Sequence, residues 1–206
     1  MVLEDFYTYT EVDPLGRITI VDANEVKTRC YRDDFGTYIY KKYDKSDFSS
    51  NFVHTLEIEQ PTAGSNPFAR GAWYGVSTSI GVCRNWTNGI CIYTYDGKMY
   101  LKCFDPVSGN LSDNCNFFIG TRYYVTLTRN HASVTLQIYT DSSRTVLHDT
   151  LTSTCNAHDD FEYVYAGSAF PTNSAFNVYV ETRDLDLNLK HKVMTLSGNM
   201  CSSPCP

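Results

Sequence analysis

The amino-acid sequence predicts an all-β protein built from antiparallel strands, and three observations carry that expectation. First, Arg122 to Thr140 reads RYYVTLTRNHASVTLQIYT. Apolar and polar residues alternate on both sides of the short break Asn130-His131-Ala132-Ser133, the pattern of a β-hairpin with one buried face. Tyr123, Val125, Leu127, Val134, Leu136 and Ile138 are expected in the core, with Tyr124, Thr126, Thr128, Thr135, Gln137 and Tyr139 pointing out. Second, strand-like stretches recur along the chain with turn residues between them and no convincing amphipathic helix. Third, 16 Tyr and 11 Phe among 206 residues favour sheet over helix.

The elements follow in order. Phe6 to Thr10 reads as a strand, followed by the turn Asp13-Pro14-Leu15-Gly16 and a strand from Arg17 to Ile20. Glu25 to Cys30, Thr37 to Tyr43 and Phe52 to Glu59 come next, the last stopped by Gln60-Pro61. A loop rich in Gly, Ser, Asn and Pro spans Thr62 to Arg70 and leads into Ala72 to Ser79. Ile90 to Tyr95 and Lys98 to Phe104 are joined by Asp96-Gly97, a strong signal for a two-residue hairpin turn. After the hairpin come Thr145 to Leu151, Phe161 to Ala166 and Ala175 to Thr182, with a turn near Asn156 to Asp160. About a dozen strands without intervening helices make a sandwich or barrel of antiparallel sheets. The sandwich is placed in residues 1–190 and a Cys-containing tail in residues 191–206, with no second domain and no repeat.

Charge narrows the partners. A formal net charge of −6 argues against phosphate binding, and Lys41-Lys42 and Lys190-His191-Lys192 are too small for a nucleic-acid footprint. No apolar run approaches the roughly 18–20 residues that cross a bilayer, so no membrane insertion is expected. The start, MVLEDFYTYT, is not a signal peptide, because Glu4 and Asp5 sit where an apolar run is required. An extracellular or virion-surface location is nonetheless expected, for example as a particle component that assembles without the secretory route.

Eight cysteines without a C-x-x-C pair read as disulfides rather than as a zinc site. Cys83 and Cys91 flank the turn-like RNWTNG, and Cys103 and Cys115 bracket FDPVSGNLSDN. Cys30 with Cys155 is then a long-range staple, and Cys201 with Cys205 a small loop in the tail, although sequence does not settle connectivity. Sequons at Asn85-Trp86-Thr87 and Asn110-Leu111-Ser112 permit glycosylation of Asn85 and Asn110.

The hairpin also carries a resemblance. Tyr-Tyr-Val-Thr-Leu-Thr-Arg, a short turn and Val-Thr-Leu-Gln-Ile-Tyr are similar to paired strands of the concanavalin A-like, or laminin-G-like, superfamily. Phe161 to Ala166 and Phe176 to Leu185 resemble the last two strands of that family, and Thr10 to Ile18 its opening. The resemblance spans roughly residues 5–188 and implies a two-sheet jelly-roll sandwich. It also implies sugar binding at a concave face or at rim loops. Some members are glycoside hydrolases or lyases, and many are adhesion or virion modules.

Catalytic patterns are sparse. Glycosidases of that superfamily carry carboxylates alternating along one strand, and the nearest candidates are Glu57 and Glu59 in Leu56-Glu57-Ile58-Glu59. They lack a third acidic residue and a tryptophan context, and read as a solvent-facing edge. The five histidines are scattered, and His158-Asp159-Asp160 reads as an exposed polar turn. No metal site is expected; loop carboxylates such as Asp96, Asp105 and Asp113 keep calcium open as a cofactor without forming a binding motif.

Aromatic surface remains. Tyr38 shares strand parity with Tyr40, Tyr93 with Tyr95, and Tyr163 with Tyr165, while Tyr124 and Tyr139 face outward from the hairpin. Trp73 reads as core and Trp86, in its loop, as a contact residue. Exposed tyrosines pack against sugar rings or anchor a protein partner. The expected function is a non-enzymatic surface or structural module, such as a capsid-decoration or fibre component. Its partners would be other subunits in a homo-oligomer or a larger particle. The alternatives are a secreted lectin-like glycan binder and an all-β glycoside hydrolase or lyase.

Overall fold

The computed structural model describes residues 2–31, 36–48, 50–61, 70–106, 112–169 and 178–189. Fourteen strands run through them: β1 (Thr10–Val12), β2 (Ile18–Asp22), β3 (Glu25–Cys30), β4 (Tyr38–Lys42), β5 (Asn51–Glu59), β6 (Gly71–Ser77), β7 (Gly89–Tyr95), β8 (Lys98–Phe104), β9 (Ser112–Asn116), β10 (Arg122–Asn130), β11 (Ser133–Tyr139), β12 (Leu147–Thr154), β13 (Tyr163–Ala169) and β14 (Val178–Asp186). They form two antiparallel seven-stranded sheets, ordered β1-β4-β13-β6-β7-β8-β9 and β12-β11-β10-β5-β14-β3-β2. Among the described residues no α-helix occurs, and no helix is long and apolar enough to cross a membrane.

Period-two patterning decides the layering. The hairpin forms as expected, with Asn130 opposite Ser133 and His131 at φ 53° in the tight turn between β10 and β11. Tyr123, Val125, Leu127, Val134, Leu136 and Ile138 are all buried between the sheets. Asp96 and Gly97 turn β7 into β8 with φ of 52° and 67°, the two positive values that such a tight turn demands. Polar bonds also cross the core. The Trp73 indole donates to the Glu59 carbonyl at 2.8 Å, the Thr182 hydroxyl to the Trp73 carbonyl at 2.6 Å, and His54 of β5 shares a hydrogen bond with the Tyr74 hydroxyl of β6.

Several boundaries differ from expectation. Phe6–Thr8 is a 3-10 turn rather than a strand, because the Asp5 carboxylate accepts the Tyr7 N–H at 2.9 Å and the Thr8 hydroxyl donates back to the Asp5 carbonyl. β9, Ser-Asp-Asn-Cys-Asn, has almost no strand-forming side chains and owes its existence to pairing along β8. Near Asn156 to Asp160 the turn forms, yet Asp159 is buried. Its backbone carbonyl and those of Asn156 and His131 accept hydrogen bonds from Arg129, which is 1% exposed and closes one end of the core.

Cysteine geometry overturns two expected pairs. The six described cysteines are buried, and no disulfide joins any two of them. Cys115 sits opposite Met99 on β8, four residues along that strand from Cys103, about 13 Å at the strand rise. A disulfide needs Cα atoms within about 7 Å. Cys30 lies on β3 and Cys155 just beyond β12, five strand spacings away in the same sheet, or about 24 Å. Cys83 does meet Cys91 through a thiol–thiol hydrogen bond, whereas the neighbour of Cys103 is Cys155. Cys201, Cys205 and the whole expected tail lie outside the described residues, as does Asn110. Asn85 is exposed on its loop.

Candidate functional site

A tyrosine-rich surface covers the outer face of the sheet that runs from β1 to β9. Alternation sends Ile39, Val164, Ile90, Ile92, Met99 and Leu101 into the main core. It therefore turns Tyr38 and Tyr40 of β4, Tyr163 and Tyr165 of β13, Tyr93 and Tyr95 of β7, and Tyr100 of β8 outward. Sheet order brings these distant segments together. Tyr40 sits opposite Tyr165, Tyr165 opposite Gly75 of β6, and Gly75 opposite Cys91. Two aromatic groups result, separated by the small residues Ala72 and Gly75.

In the first group, ring centroids of Tyr40 lie 5.8 Å from Tyr38, 5.9 Å from Tyr163 and 5.9 Å from Tyr165. Tyr93 and Tyr100 stack at 5.0 Å in the second, with Tyr95 6.1 Å from Tyr100. Cations flank both: Arg70 lies 3.7 Å over Tyr95, Lys42 5.6 Å over Tyr163 and Lys102 4.6 Å over Phe104. Burial raises the phenol pKa values of Tyr38 and Tyr100, with Tyr40 and Asp96 adding to it respectively, so both hydroxyls stay protonated donors at neutral pH. Tyr38, Tyr40, Tyr95, Tyr100 and Tyr163 are only half-buried, leaving ring surface for a ligand.

Trp86 reaches this face as support rather than as a contact, a correction to the sequence reading. It is 4% exposed. Its loop folds back over β6 and β7, where Gly75 and Gly89 leave space that any Cβ would take from the indole. There it packs 4.6 Å from Tyr165 and donates its N–H to the Gly81 carbonyl at 2.9 Å. Tyr93 is likewise mostly covered.

Tyr124 and Tyr139 lie on the opposite side of the molecule. They pair with each other on β10 and β11, at the outer face of the second sheet. That face is charged. Arg183 contacts Glu25, Glu59 and Glu181, the Glu59 contact at 2.9 Å, while Arg122 reaches Glu57 at 3.3 Å and Glu59 at 3.5 Å. Both candidate acids are therefore ion-paired. Burial, and then the neighbouring Asp184 carboxylate, raises the pKa of Glu57. A polar cavity of about 240 Å³ lies beside Glu57, Arg122, Arg183 and Asp184. A larger one of about 650 Å³ opens near the strand ends at Phe52, Thr128 and Leu187, away from every sequence candidate. Among the described residues no group of three or more His, Cys, Asp or Glu is arranged to hold a metal ion.

Sequence reasoning missed Tyr100, Arg70 and Lys102. Alternation along β8 places Tyr100 and Lys102 on one side of the strand, and that signal could have found them.

No protein-family model matches the chain. No curated protein sequence matches it significantly either. Solved structures do match. A functionally unknown protein from Saccharomyces cerevisiae aligns with a TM-score of 0.60 at 11% identity, over 90% of this chain and 98% of that one. The binding domain of botulinum neurotoxin DC in complex with SialylT aligns at 0.56 and 14% identity, covering 86% of this chain and 41% of the toxin chain. A structure of botulinum neurotoxin type C, which interacts with two ganglioside molecules, aligns at 0.57 and 15% identity, over 86% and 42%. The chain spans about two fifths of these toxin structures, and at such identities the likeness is one of all-β fold.

Proposed function

We propose that the protein is a non-enzymatic binding module, a concanavalin A-like sandwich that holds a carbohydrate on its tyrosine face. The observation that carries this is the convergence of the half-buried Tyr38, Tyr40, Tyr163, Tyr95 and Tyr100 on one sheet surface. Their ring faces can cover the apolar faces of sugar rings, and protonated phenols can donate to sugar hydroxyls. The interaction of botulinum neurotoxin type C with gangliosides supports the choice of ligand class. A glycan array tests it: the parent protein is expected to give saccharide hits that Tyr40→Ala weakens at least tenfold. An empty array, or hits indifferent to Tyr40→Ala, would overturn the proposal.

The non-enzymatic part is supported by Glu57 and Glu59, both engaged by arginines rather than presented across an open cleft. Polysaccharide turnover abolished by Glu57→Gln would reverse it. Binding is proposed to need no calcium, so saccharide affinity should be the same with and without a chelator.

A second reading, attachment to other protein subunits or to a particle surface outside the cell, is favoured by a different region. Phe118, 65% exposed, Ile119, Val146 and Leu147 leave apolar side chains in solvent, and the Phe118 ring lies 6.5 Å from His148, next to Leu147. Light scattering separates the two. A multimer that Phe118→Ser dissociates supports attachment, and a monomer leaves the carbohydrate reading alone.

A further inference from the structure

Two thiols from different sheets meet inside the sandwich. Cys103 belongs to β8, and Cys155 follows the end of β12 at the edge of the opposite sheet. Both lie within the main hydrophobic core, where β12 packs across from β8 and β9. Their side chains hydrogen-bond to each other. Cys155 is held firmly from the other side: its N–H donates to the Ala132 carbonyl at 2.9 Å, and its sulfur lies 3.9 Å from the His131 carbonyl. Arg129 donates to that same His131 carbonyl at 3.0 Å, which brings its guanidinium beside the pair.

We propose that Cys103 and Cys155 are an oxidation site at which a small-molecule disulfide generates a covalent bond between the two sheets. The Cys155 thiolate attacks one sulfur of the small disulfide, forming a mixed disulfide and releasing one thiol. Cys103, deprotonated in turn, attacks the Cys155 sulfur and releases the second thiol, leaving the Cys103–Cys155 bond. The two protons lost by the cysteines end on the two released thiols. The cysteine pair is oxidised by two electrons and the small disulfide reduced by two.

The assignment of Cys155 as first attacker follows from its surroundings. A hydrogen bond from Cys103, with the Arg129 charge nearby, lowers the Cys155 pKa, while the same hydrogen bond and burial raise that of Cys103. The bond would tie the β8–β9 edge of the tyrosine-faced sheet to the β12 edge of the charged one. It is independent of what the tyrosine face binds, and independent of Cys83 and Cys91, which meet on the other side of the first sheet.

Full-length protein made in an oxidising secretory compartment and in a reducing cytoplasm tests this. After alkylation of free thiols and non-reducing digestion, peptide mass spectrometry reads the partners. The oxidised preparation is expected to contain the Cys103–Cys155 cross-link, and the reduced one two alkylated cysteines at those positions. Oxidation should raise the unfolding midpoint by roughly 5–15 °C, and reductant should reverse the gain. A Cys103→Ala variant should show neither cross-link nor gain. Alkylated Cys103 and Cys155 in the oxidised preparation, different partners for either, or a cross-link that leaves the midpoint unmoved would overturn the proposal.

Discussion

The two outer faces of this sandwich are made from the same strand alternation and differ in chemistry. One gathers tyrosines from β4, β13, β7 and β8 around small residues of β6. Its opposite number carries Glu25, Lys27, Glu57, Glu59, Arg122, Glu181 and Arg183, locked into ion pairs with one another. A face whose polar groups already satisfy each other has little left to offer a ligand. Half-buried aromatic rings keep apolar surface that still gains from being covered. The proposed reading therefore puts recognition on the first face, while ion pairs occupy the second.

Acid should weaken both faces together, because it acts on what joins the sheets. Burial lowers the pKa of His54 to about 3. An unfolded histidine titrates near 6.5, so between these values the unfolded chain binds the extra proton. The stability that neutral His54 contributes is thus fully present above pH 6.5 and is lost as pH falls towards 3. The limit is on the order of 4–5 kcal/mol. Denaturant titrations at pH 7 and pH 4 should show about 3 kcal/mol of that loss, and His54→Phe should flatten the dependence.

Trp86→Ala should damage the tyrosine face selectively. It removes a buried indole from above Gly75 and Gly89 and should cost about 3–4 kcal/mol, read by chemical denaturation. Saccharide binding should fall with it, since Tyr165 loses its close neighbour.

Arg183→Ala strikes the charged face instead. It strips partners from Glu181, which is nearly buried, and from Glu59. The cost should be about 1–3 kcal/mol by the same assay, with saccharide affinity unchanged. A variant that lost affinity as well would dissolve the contrast between the faces.

Some of this was legible in the sequence and some was not, for physical reasons. Alternation in Tyr123 to Ile138 predicts which side chains are buried, because a strand has only two faces. The same rule puts Tyr38 with Tyr40 and Tyr163 with Tyr165 on shared faces. It says nothing of which strand lies beside which. Sequence parity therefore grouped Tyr124 and Tyr139 with the other tyrosines, although sheet order sends them to the far side. Trp86 sits in a loop rich in polar residues and reads as exposed. Only the pairing of β6 with β7 brings Gly75 and Gly89 under it. Cys83 with Cys91 and Cys103 with Cys115 were matched by the loops between them, and Cys30 with Cys155 as what then remained, whereas Cys103 finds its neighbour across the core, a relation that neither loop length nor spacing encodes. Arg129 was readable in part. It continues the inward register of Tyr123, Val125 and Leu127, and a charge at that register position calls for buried acceptors.

The central claim is that recognition belongs to the tyrosine face, and paired double variants test it most directly. Calorimetric titration with the best saccharide from the array should show Tyr40→Ala/Tyr163→Ala losing at least tenfold in affinity, while Tyr124→Ala/Tyr139→Ala binds like the parent. Loss of binding in the second pair with retention in the first would contradict the account and move the site to the charged sheet.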